Sequence, residues 1–91
     1  MEDPIITPAS KILIVLLRNG ELLMSDIIVK AKLSRQAVFN NVRDLLEAGL
    51  VTEKREEGFP PRRLISLTEK GRKVAEKLEE IEELLKMEMV D

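Results

Sequence analysis

From residue 12 to residue 17 every position is apolar, "ILIVLL". Thr7 and Pro8 before the run and Gly20 after it are helix start and stop signals, so the stretch is predicted to be one helix. A helix with no polar face is buried on more than one side. In a domain this small, the second cover is expected to come from a partner subunit. "ELLM" at 21–24 is too short for a helix and reads as a strand stub. Ser25 is then expected to cap a short helix, "DIIVKAK", with Asp26 in its first turn and Ile27, Ile28 and Ala31 at helical spacing. After "KLS", Ser34 is the expected cap of a longer helix over 35–48, and Gly49 is its C′ residue. Two β-prone runs follow at 50–55 and 63–67, separated by the loop "EEGFPP". Thr68 caps a last helix, predicted to run to about residue 88. Val74, Leu78, Ile81 and Leu85 recur along it at intervals of 4, 3 and 4, an a/d seam, and charged residues fill the rest.

A short helix, a tight turn and a longer helix in sequence are the helix-turn-helix pattern. On a wheel of the 35–48 helix, Val38, Val42 and Leu45 cluster on one side with Leu46 beside them. Gln36, Asn40, Arg43 and Glu47 lie opposite. The apolar stripe docks the helix. The polar stripe has two readings. Arg pairs with guanine in a two-pronged way, and Asn and Gln do so with adenine, so the stripe suits a DNA major groove. Ser34 and Arg35 would then hold a phosphate at the helix N-terminus. Alternatively, the stripe is the solvated side of an ordinary helix. Phe39 flanks it, either as a half-buried core residue or as an apolar contact to a thymine methyl.

The hairpin carries Lys54, Arg55, Arg62 and Arg63 around one loop, with Phe59, Pro60 and Pro61 at the tip. Arginines on such a loop enter a narrow minor groove or grip phosphates. Glu53, Glu56 and Glu57 dilute the patch, and the plainer reading is a solvated hairpin with local ion pairs.

Composition narrows the choice. Ninety-one residues make one domain. Without Cys or His there is no disulfide, no thiolate chemistry and no imidazole base or ligand. Carboxylates are plentiful only beside lysines on the last helix, where nothing buries them for acid–base work, so no enzyme, cofactor or metal is implied. No apolar run reaches the about 18 residues of a membrane span. Glu2 and Asp3 stand where a signal peptide is positive. The chain therefore reads as soluble and cytoplasmic, and its wealth of Glu, Lys and Arg leans to a thermophilic source. The net charge of −2 is unevenly spread. Residues 1–30 hold three bases and four acids (−1), residues 31–68 seven and five (+2), and residues 69–91 five and eight (−3). Only the middle segment is positive, which suits a polyanion partner there.

The order of elements, with "LSRQAVFNNVRDLLEAGLV" and then "RRLISLTEKGR", resembles the winged helix-turn-helix transcription regulators of the MarR, ArsR and PadR-like groups, including small archaeal members. The likeness covers about residues 9–73. It implies an α+β, mostly helical fold: a winged helix-turn-helix with a two-stranded β-hairpin wing and a long C-terminal dimerisation helix. The domain would span 1–91, with a DNA-binding core at 9–68, the wing at 50–67 and the dimerisation helix at 69–89. Carried over by position, Ser34, Arg35, Gln36, Phe39, Asn40 and Arg43 would face the major groove. Arg62 and Arg63, with Lys54, would be wing contacts. The first and last helices would form a homodimer through Ile12, Leu16, Val74, Leu78, Ile81 and Leu85. The implied partners are double-stranded DNA and a second copy. No residue points to a small-molecule effector. The rival reading is a winged helix that meets only protein.

Overall fold

The computed structural model of the protein describes residues 5–87. The elements are α1 (Pro8–Asn19), β1 (Leu22–Leu23), α2 (Met24–Ala31), α3 (Arg35–Glu47), β2 (Val51–Glu56), β3 (Arg62–Leu67) and α4 (Glu69–Lys86). This is a winged helix-turn-helix: α2 and α3 make the helix-turn-helix, β2 and β3 the wing, and α4 the long last helix. Glu2 and Asp3, and residues 88–89 at the end of the expected last helix, lie outside the described residues.

Three helices begin at the capping residue read from the sequence. The side-chain oxygens of Thr7, Ser34 and Thr68 accept from the backbone N–H of Ser10, Ala37 and Gly71 at 3.2, 3.1 and 3.0 Å. Each bond satisfies a donor that a helix start leaves without a partner. The fourth differs. Ser25 is not a cap: α2 starts at Met24, with Leu23 in the cap position and no side-chain cap bond. Pairing of Leu22 and Leu23 with β3 holds the chain extended up to that point, and Met24 enters the helix with its side chain in the core.

The expected outside cover of α1 is also corrected. Ile12, Leu13 and Leu16 are buried inside their own domain, because α1 is the central helix and packs against α2, α3, α4 and β3. Ile12 and Leu16 are thus core residues, with no surface left for a dimer interface. The seam on α4 divides. Val74 and Leu78 pack against the core, whereas Ile81 and Leu85 are 40% and 42% exposed and Leu84 is 64% exposed.

The stub expected at 21–24 is shorter, Leu22–Leu23 alone, and it joins the wing. The sheet order is β1-β3-β2, antiparallel throughout, with Leu22 opposite Ile65 and Val51 opposite Leu67. Ile65 and Val51 point inward and root the hairpin in the core. At the other end of the wing, Thr68 locks the corner into α4. Its hydroxyl donates to the Gly49 carbonyl at 2.7 Å and its N–H to the Leu50 carbonyl at 3.1 Å. Arg18, near the end of α1, donates from Nε to Glu79 and from Nη2 to Glu82, both at 2.8 Å, and clamps α4 alongside. Those bonds hold the guanidinium above its ordinary pKa.

Candidate nucleic-acid interface

The two stripes of α3 separate as their spacing requires. Val38, Val42 and Leu45 are buried. On the other side Arg35, Gln36, Arg43 and Glu47 are exposed, and Asn40 is half-buried. Gln36 Nε2 donates to Asn40 Oδ1 at 3.3 Å, one turn along, so the two amides are ordered as a pair. Ser34 is exposed, and its hydroxyl is engaged in capping the helix.

Strand alternation sorts the wing's bases onto two faces. Lys54 lies opposite Leu64 and Glu56 opposite Arg62, so Lys54 and Arg62 share the outer face. Arg55 lies opposite Arg63 on the inner face, which also carries Glu53 and Ile65. Like charges directly across a sheet repel. Glu53, diagonal to Arg63 on that face, offsets the repulsion: its carboxylate is 3.6 Å from Arg55 Nε and accepts two bonds from Arg63. The bond from Arg63 holds the Glu53 carboxyl below the usual carboxylate range, and Glu53 in turn raises Arg63. At the tip, Phe59 is fully exposed.

Wing and α3 meet at Phe39. Its ring is half-buried against the core, with the guanidinium carbons of Arg35 and Arg63 at 5.6 and 5.7 Å from its centre. Beside it a groove of about 380 Å³ runs between the start of α2, α3 and the wing, lined by Met24, Ile28, Arg35, Phe39, Pro61 and Arg62 among others. The structure therefore brings Arg35, Phe39, Arg62 and Arg63 together, with Gln36, Asn40 and Arg43 continuing along α3. Lys54 stands on the other face of the hairpin from Arg63. Sequence reasoning missed the structural roles of two residues. Arg18 is joined to α4 across more than sixty residues, which no local pattern announces. Glu53 becomes legible from the wing's register alone, but only once the length of its loop is fixed.

Among the described residues no group of acidic side chains could hold a metal ion, and no helix is long and apolar enough to cross a membrane. A model of the MarR family matches residues 5–58, more than half of the chain. The chain belongs to the MarR family. Solved structures agree on the fold. The F-93 protein of SSV1 superposes with a TM-score of 0.80 at 26% identity, over 94% of this chain and 97% of F-93. AF1382 from Archaeoglobus fulgidus follows at 0.74 and 24%, over 89% of this chain and 90% of its own. A MarR-family transcriptional regulator from Silicibacter pomeroyi gives 0.71 at 22%, over 81% of this chain. The chain spans about half the length of that regulator, 49%. No curated protein sequence matches closely enough to count as a relative. MarR-family regulators are non-enzymatic, in line with a sequence that offers no catalytic constellation.

Proposed function

We propose that this MarR-family protein is a sequence-specific, DNA-binding transcription regulator that acts as a homodimer. One observation carries the reading: Arg35 and Phe39 at the start of α3 line one groove with Arg62 and Arg63 of the basic wing, and the exposed polar stripe runs on along α3, a helix whose opposite side is occupied by the core. In this reading Gln36, Asn40 and Arg43 reach base edges in the major groove. Ser34 and Arg35 lie over phosphates at the start of α3, and Phe39 sits at the groove wall. Arg62 and Lys54, on the outer face of the wing, take the adjacent backbone or minor groove. Arg63 belongs to the same surface, although its guanidinium is already engaged by Glu53. Residues 9–68 form the DNA-binding core and α4 the dimerisation helix, with Ile81 and Leu85 as its free apolar positions continuing from Val74 and Leu78. Two copies would then present α3 to successive major grooves about one helical turn apart.

Titration of binding to mixed duplex DNA against salt tests the first half. The logarithm of affinity is expected to fall linearly with the logarithm of salt, because bound phosphates release counterions. Arg62→Ala should weaken all sequences alike and shallow that slope by about 0.9 for each phosphate no longer neutralised. Absence of binding even at low salt would sink the DNA reading and leave a winged helix that meets another protein. For the second half, Leu85→Glu is expected to convert a dimer into monomers in sedimentation, with the helical circular dichroism of the domain retained. A wild-type chain that sediments as a monomer at micromolar concentration would end the dimer proposal.

A further inference from the structure

In the sequence Glu53 counts only as an acid that dilutes a basic wing. In the structure its carboxylate takes both Nε and Nη2 of Arg63, at 2.5 and 3.1 Å. The same guanidinium stands over the Phe39 ring, and Arg35 of α3 stands over that ring too. These side chains form one line from β2 across β3 to α3: Glu53, Arg63, Phe39, Arg35.

We propose that Glu53 is a positioning residue for the DNA-binding surface: it holds Arg63 on Phe39 and so fixes the wing at one angle to α3. The inference rests on the DNA-binding reading for its consequence, but not for its geometry.

The physical need is local. Ile65 and Val51 root the hairpin in the core, and β1 pairs with β3 only as far as Leu64. Beyond that point positions 54–62 are all exposed, so the outer wing has little buried apolar surface to set its direction. A two-stranded ribbon of this kind bends easily. The Arg63 side chain has many rotamers, and ordering it on a ring costs entropy. Arg55 directly across the sheet would push it away. A carboxylate that binds the guanidinium through two parallel bonds removes both difficulties, since the paired fork fixes direction as well as distance. The pair is partly shielded: the side chains of Arg63 and Glu53 are 29% and 22% exposed.

The sign of one effect separates this role from simple charge. A carboxylate beside a DNA-facing surface repels phosphate. If Glu53 did nothing else, removing its charge would free Arg63 and tighten binding to every duplex. If Glu53 positions the wing, its loss weakens the one site that needs wing and α3 in register.

The test uses the full chain, the Glu53→Gln and Arg63→Lys variants, and a duplex selected from random sequence by the wild-type protein. Arg63→Lys keeps the charge but loses the planar fork. In the free protein, NMR should show the Arg63 Nε–H signal shifted and faster to exchange in Glu53→Gln. Phe39 ring signals should move in both variants, while the amides of Val38, Val42 and Leu45 stay in place. On DNA, both variants should lose about tenfold for the selected site, and Glu53→Gln should at the same time hold or gain affinity for mixed duplex. Unchanged Arg63 and Phe39 signals in Glu53→Gln would overturn the proposal. So would a parallel rise in affinity for both duplexes. A wild-type protein that binds no duplex would overturn the DNA reading instead, and the Arg63 and Phe39 signals would still decide whether Glu53 holds the wing.

Discussion

Gly71→Ala is expected to destabilise the domain by about 3–5 kcal/mol, the combined cost of forced overpacking and broken corner bonds. Gly71 sits in the first turn of α4, buried against the chain that leaves α3. A Cβ there would land on the carbonyl oxygen of Leu50, with the carbonyl carbon only 2.8 Å away. Both obstacles are backbone, so no side chain can swing aside. The Leu50 carbonyl is also pinned, because it accepts from the Thr68 N–H. Relief requires α4 to lift off. That breaks the Thr68 bonds to Gly49 and Leu50 and disturbs the cap on Gly71 itself. Helix propensity alone pulls the other way, favouring alanine by about 1 kcal/mol. Urea unfolding followed by circular dichroism therefore gives opposite answers for the two effects. A midpoint equal to or above wild type would show that α4 does not press on Leu50.

Arg43→Ala should have the largest effect on recognition. Arg43 is exposed in the middle of the α3 stripe, where a two-pronged bond to guanine is worth about 1–3 kcal/mol of base discrimination. The proposed dimer would use the residue twice, so the full site should weaken by about 2–6 kcal/mol. Binding to mixed duplex should change far less. Site selection with the variant should return the same site with preference lost at one base pair in each half. Equal weakening on every sequence would make Arg43 a phosphate-binding residue, and no change at all would remove α3 from the proposed surface. The contrast with Arg62→Ala, expected to act uniformly, would separate base reading by the α3 stripe from phosphate contact by the wing, as proposed.

The local elements of the fold are legible in the sequence. The caps at Thr7, Ser34 and Thr68 and the two stripes of α3 depend on residues within a turn or two of each other. The β-prone runs of the wing are likewise local. Where local signals compete with pairing to a distant strand, the distant partner prevails. Ser25 is a good capping residue, yet α2 begins earlier because Leu22 and Leu23 pair with β3. The apolar run in α1 shows that the helix needs cover on several sides. It does not show whose, and α2, α3, α4 and β3 of the same chain supply it.

The sequence by itself determined which segments are helix or strand, which face of α3 docks and which stays wet, and where the positive charge concentrates. Each follows from side-chain period, capping chemistry and charge, properties carried by neighbouring residues. Only the tertiary structure decided that Ile12 and Leu16 are core residues and that Ile81 and Leu85 remain exposed. It also decided that Arg18 clamps α4, that Gly71 must lack a side chain, and that Glu53 and Arg63 tie the wing to Phe39. These depend on how far apart elements come to rest once packed, and that distance is set by the core as a whole.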